Sequence, residues 1–195
     1  MRVNYYFSDN MDTYKIEAEV YSSNRVQVLT IEDSFGADID IDDFSDNEDT
    51  KKILEKARSY GFTVVQHALN KNFAEHKNYG SKRCVGDYIV QLDADEYLWP
   101  DFLYNMRELL ESNPKVELYR VPRVNIVRGL TPEDQRRWGW KVYQLPEFPG
   151  LPIINWEFDH QARIYKNDPK IFWHKKLHET ITGAEYVTAL PLDVD

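Results

Sequence analysis

Apolar runs alternate with amphipathic stretches along this chain. The clearest run lies in residues 86–102, GDYIVQLDADEYLWPDF, where Tyr88, Ile89, Val90 and Leu92 lead straight into Asp93, Asp95 and Glu96. A short, nearly continuous apolar segment predicts a strand covered on both faces. Period-two or apolar segments also predict strands at 14–20 (YKIEAEV), at 38–42, where Ile39 and Ile41 alternate with aspartates, and at 62–67 (FTVVQH). Helical stripes and their punctuation predict helices between them. One runs from a cap at Ser45 or Asp46, through Ile53, Leu54 and Ala57, to a stop at Gly61. A second covers 72–86, and a third starts at Pro100 and stops before Pro114. Residues 23–35, with Asn24 near a cap, are read as a helix, although their β-branched content also permits a hairpin with the preceding strand.

Repeated strand–helix units around a central apolar strand predict an α/β fold, a mostly parallel sheet sandwiched by helices. Residues 116–127 read as extended, 131–158 with their Pro and Trp residues as a wrap around the sheet, and 160–183 as strand, KNDP turn, strand and polar loop. The chain shows no repeat or linker, so 1–195 is read as one domain. In such sheets ligands bind at the carboxyl ends of strands. Asp42 and Asp43 end one predicted strand, and Asp93 and Asp95 end another, which puts both acidic pairs on one edge. Clustered carboxylates repel and lose hydration near a core, so something positive belongs beside them.

Composition narrows the class. Hydrophobic residues make up 42% and charged residues 29%, the balance of a globular protein. Aromatics reach 14%, which suits stacking on rings or sugars as well as core filling. Cys84 is the single cysteine, which excludes an intrachain disulfide and a cysteine-based zinc site and fits a reducing, cytoplasmic location. No apolar run approaches membrane-spanning length. A formal net charge of −9 argues against general affinity for nucleic acid, while Arg136–Arg137 and Lys175–Lys176 leave room for local contact.

Asp93-x-Asp95 at a strand end is chemically suited to Mn²⁺ or Mg²⁺, hard cations that bridge carboxylates to substrate phosphates. The triplet alone is common, and a loop cap is its ordinary explanation. Its surroundings are more specific. The segment HKNYGSKRCVGDYIVQLDADEYLWPDFL resembles the family 2 glycosyltransferases, which have the nucleotide-sugar-dependent fold called GT-A. IDIDDFSDNEDTKKIL resembles that family's second strand and turn, with Phe44 where a glycine is usual. EVYSSNRVQVLTIEDSF is similar to its first strand and helix, and QARIYKNDPKIFWHKKLHETITG to the C-terminal part of one subgroup.

The resemblance implies a Rossmann-like domain whose 14–113 half binds the nucleotide sugar and whose 114–195 half faces the acceptor. It implies a UDP-sugar donor, a glycan or other hydroxyl acceptor, and inversion at the anomeric carbon. A hydroxymethylated base in viral DNA is a conceivable acceptor too. Tyr21, Ser23, Asp43, Lys77, Asn78 and Asp93 fall at the nucleotide, with turn capping (Asp43) and an exposed helix face (Lys77) as competing explanations. Asp93, Asp95 and His178 fall at the metal, and Glu96 behind it. His174 and Arg163 are weaker candidates for phosphate contact. Two carboxylates qualify as the base: Glu179, beside His178, and Asp159, before HQAR, with Glu179 preferred. Trp138, Trp140 and Trp156 are candidates for an acceptor platform. Two other classes share the acidic edge, a nucleotidyltransferase and a non-catalytic binding module. The first calls for a glycine-rich phosphate loop that YSSNR poorly provides.

Overall fold

The computed structural model describes residues 2–8, 13–19, 26–30, 55, 59, 67, 69–84, 86–93, 96, 98–144, 149–154 and 159–191. Strands β1 (Arg2–Ser8) and β2 (Thr13–Glu19) form an antiparallel hairpin. Strand β3 (Val26–Thr30) lies parallel to β4 (Tyr88–Leu92), with Val26 opposite Tyr88 and Thr30 opposite Leu92. The helix expected over 23–35 is therefore corrected. Val26, Val28 and Thr30 are stiff at χ1, a cost in a helix and an advantage beside another strand. The strands expected at 38–42 and 62–66 lie outside the described residues; from the helix expected after Ser45, Glu55 and Ser59 are described, and both are helical.

Helix α1 (Phe73–Ser81) starts on Asn72, whose side chain accepts from Glu75 N at 3.2 Å. It ends before the expected Gly86, because Arg83 N and Cys84 N turn back onto Gly80 O and Ser81 O and bury Cys84. Helix α2 (Pro100–Ser112) has the expected proline start. Strand β5 (Leu118–Pro122) follows, then β6 (Asn125–Ile126), helix α3 (Pro132–Trp138), β7 (Val142–Tyr143) and β8 (Ile153–Ile154). The described part of the segment expected to wrap the sheet holds a capped helix and two short strands, which join β6 in a small antiparallel sheet ordered β6-β8-β7. Strands β9 (His160–Lys166), β10 (Phe172–His174), β11 (Thr180–Thr182) and β12 (Val187–Ala189) complete the described chain.

The main sheet has the order β12-β5-β9-β4-β3. It is mixed: β3 pairs in parallel with β4 and β12 with β5, while the central β9 runs antiparallel to both β4 and β5. The expected excess of parallel pairs is absent from the described sheet, because β9, a late strand, inserts between two earlier ones. Alternate residues feed opposite cores, as a pleat requires. Ile89, Leu118 and Tyr165 pack with Ala74, Cys84 and Trp173 on the α1 side. Val90, Tyr119 and Ile164 pack with Met106 and Leu110 of α2 on the other. Under α1, the Tyr165 hydroxyl meets Ser81 Oγ, Gln91 Oε1 and Trp173 Nε1, which fixes Trp173 against the helix.

Candidate active site

Just after β4 ends, Asp93 and Glu96 hydrogen-bond to each other. Glu96 N donates to Asp93 O at 2.9 Å, and Asp93 N donates to Glu96 Oε2 at 3.2 Å. Two buried cations meet the carboxylates there, each from a different element. Lys77, projecting from α1 and 5% exposed, lies 3.0 Å from Asp93 Oδ1 and 2.7 Å from Glu179 Oε1. Arg163 of β9, also 5% exposed, places Nη2 at 2.8 Å from Asp93 Oδ2 and bonds Glu96 Oε1 with the same nitrogen. Arg123, just after β5, carries the pattern on. Its Nη1 is 3.4 Å from Glu96 Oε1, and its Nε donates to Asp159 Oδ2 at 3.0 Å.

The result is one alternating chain of charge: Glu179, Lys77, Asp93, Arg163, Glu96, Arg123, Asp159. The positive charge demanded by the acidic strand end comes from the protein's own helix and central strand. Four carboxylates face three cations, so the set carries a formal charge of −1. Burial pushes the Asp93 carboxyl up, but the Arg163 and Lys77 charges outweigh it and hold the group below the usual carboxylate range. Burial likewise weakens Arg163's hold on its proton, and Glu96 and Asp93 overcome it.

The two candidate bases occupy the two ends of this chain. Asp159 is burdened with donors: Asn125 Nδ2 and Arg123 Nε on Oδ2, and Gln161 Nε2 on Oδ1 at 2.7 Å. Burial raises its pKa, and the hydrogen bonds from Asn125, Gln161 and Arg123 bring it below the ordinary value. Glu179 is held through Oε1 by Lys77, and its Oε2 has no hydrogen bond among the described residues. It sits just before β11, half-buried.

Other predicted residues fare differently. Asn78 uses its whole amide on the Trp173 backbone, donating to the carbonyl at 2.7 Å and accepting from the N–H at 2.9 Å. It stitches α1 to β10. Lys77 Nζ lies 4.6 Å from the Trp173 ring centroid, so the same tryptophan faces the ion-pair chain. His178 is exposed in a left-handed conformation, φ +50°, and His174 Nε2 lies 3.3 Å from Thr180 Oγ1. Arg163, a candidate for phosphate contact, is paired through Nη2 with Asp93 and Glu96. The Trp138 and Trp140 rings pair at 4.7 Å at the end of α3. Tyr21, Ser23, Asp43, Asp95 and Trp156 lie outside the described residues. Arg123 was not foreseen: an arginine in RVPRVN carries no sequence signal, and only the strand crossing brings it to Glu96 and Asp159.

The described residues do not by themselves form a metal site. Among them no group of three or more His, Cys, Asp or Glu is arranged to hold an ion, and both oxygens of Asp93 already meet cations. Among the described residues no helix is long and apolar enough to cross a membrane.

Comparison with known proteins adds family information. The family model described as Glycosyl transferase family 2 matches residues 39–172. A Haemophilus influenzae protein described as an uncharacterized glycosyltransferase is 26% identical over 110 residues, 56% of this chain and 36% of that protein. The chain therefore spans about a third of the length of the curated relative it matches. The crystal structure of S. aureus TarS 1-349 aligns with a TM-score of 0.46 and 14% identity, over 74% of this chain and 45% of that one.

Proposed function

The chain belongs to glycosyl transferase family 2, and from that premise we propose that it moves a sugar from a UDP-sugar to an acceptor hydroxyl, with inversion and with Glu179 as the base. One observation carries the assignment of the base. Glu179 is anchored by one oxygen to a buried lysine that also holds the acidic strand end, and its other oxygen is uncommitted among the described residues. Asp159 already serves three side-chain donors, two on Oδ2 and one on Oδ1, and these hold its carboxyl below the usual range, which makes it the weaker proton acceptor. A base needs a free lone pair within reach of the proton it removes.

In this reading the bond between the anomeric carbon and the diphosphate oxygen breaks, and its electron pair leaves with the diphosphate. The acceptor oxygen bonds to the anomeric carbon from the opposite face and gives its proton to Glu179. Lys77 supplies a fixed positive charge near the reacting groups at no reorganisation cost. Mn²⁺ or Mg²⁺ belongs to the proposal by way of Asp95, outside the described residues, and no step here depends on it. A glycan acceptor agrees with the net charge of −9 better than a nucleic acid does.

Single-turnover transfer and donor titration test the roles. Glu179→Gln should slow transfer about a hundred- to ten-thousand-fold, the usual contribution of a base, with UDP-sugar affinity nearly unchanged. Asp159→Asn should do less. If Asp159→Asn is the deeper lesion with donor binding intact, the assignment is reversed. For the cation, UDP affinity that survives chelation unchanged would remove metal from the proposal.

A further inference from the structure

Beside the ion-pair chain, and sharing Trp173 with it, lies a cavity of about 420 Å³ between α1 and the segment after β10. That volume is in the range of small-molecule sites, about 300–1,000 Å³. Its charge is unlike that of the whole molecule. In a protein of net charge −9, the cavity is lined by Lys82, Lys175 and Lys176, with Glu75 as its one carboxylate. Glu75 is engaged by Asn72 Nδ2 at 2.9 Å. None of the three ammonium groups has an ion-pair partner among the described residues, whereas Lys77 and Lys170 are both paired.

The lysine-bearing segment is held in place. Phe73 N, in the first turn of α1, donates to Lys176 O at 3.0 Å. Lys175 is left-handed at φ +73°, a conformation that non-glycine residues keep when surrounding structure imposes it. Three ammonium groups against one carboxylate leave this concave space a formal charge of +2, which suits an anion. The site is separate from Lys77, which is committed to Asp93 and Glu179.

We propose that this cavity seats the phosphate of a phosphorylated saccharide, with Lys82, Lys175 and Lys176 on the phosphate oxygens and the sugar leading past Trp173. Calling that saccharide the acceptor rests on the glycosyl-transfer reading above; the phosphate site does not. A space of this size and the acidic surface as a whole favour a single phosphorylated unit over a nucleic-acid strand.

Isothermal titration of the 195-residue chain with a hexose 6-phosphate, with the free hexose and with inorganic phosphate tests this, each with and without saturating UDP. The hexose phosphate should bind more tightly than either part alone, and UDP should leave it bound. Lys82→Glu/Lys176→Glu should weaken it roughly tenfold or more, as loss of charge-assisted bonds demands, with an unchanged circular dichroism spectrum. Competitive displacement by UDP would give the cavity to the donor diphosphate and overturn the proposal. So would wild-type affinity in the double variant, or tighter binding of a single-stranded oligonucleotide than of the hexose phosphate. A chain that binds hexose phosphate as stated but neither binds nor turns over a UDP-sugar keeps the phosphate site and defeats the glycosyl-transfer reading instead.

Discussion

Arg163→Met is the sharpest test of the ion-pair chain. The substitution keeps an unbranched apolar stem in β9 and deletes the guanidinium that serves Asp93 and Glu96 through one nitrogen. Removing one partner of a buried pair costs about 3–5 kcal/mol, because the other charge stays behind uncompensated. Here each carboxylate keeps a second cation, Lys77 at 3.0 Å from Asp93 and Arg123 at 3.4 Å from Glu96, so the cost falls at the lower end. An unfolding entropy of about 2.1 cal/mol/K per residue over 195 residues is about 0.4 kcal/mol/K. A loss of about 3 kcal/mol then lowers Tm by about 7 °C. Thermal unfolding followed by circular dichroism reads this directly. Glu96→Gln added to Arg163→Met should recover part of the loss, since it returns the set to its original charge. Arg163→Lys should be milder than Arg163→Met, because a single nitrogen makes both contacts. A Tm for Arg163→Met within about 2 °C of wild type, well under the shift expected from the entropy above, would refute the reasoning. A double variant no better than the single would refute it too.

Three further outcomes follow from local geometry. Gly183→Ala places a Cβ 1.7 Å from the Lys170 carbonyl oxygen at φ +91°, so it should cost more than the roughly 1–2 kcal/mol of left-handed strain alone, read as a lowered Tm. Burial pushes the Cys84 thiol up to about 11, so a disulfide reagent at pH 8 should leave it untouched until the protein unfolds, and prompt labelling of native protein contradicts that burial. The Lys170 ammonium and the Glu185 N–H hold Glu117 down at about 2, below its ordinary 4.5. The folded state then binds that proton less readily than the unfolded state. Glu117 therefore stabilises fully above about 4.5 and loses that contribution as pH falls toward about 2. A Tm gap between wild type and Glu117→Gln that fails to close over this window would show the pair is not formed.

Much of the architecture was legible in the sequence because it is local. The apolar run of β4, the helix beginning near Asn72 and the Pro100 start of α2 depend on neighbours within a few residues, and all three are present. The acidic strand end announced that cations were needed, since like charges near a core demand them. Which cations answered was decided by tertiary structure alone. Lys77, Arg163 and Arg123 lie far apart in the chain, and only the insertion of β9 between β4 and β5 brings two of them to the same carboxylates. The same insertion made the sheet mixed, and the parallel partner β4 drew residues 26–30 into a strand. Spacing along a chain carries the period of an element and the chemistry of its ends. It carries no record of which distant element will lie alongside, because that choice is made by packing among surfaces that exist only once the elements have formed.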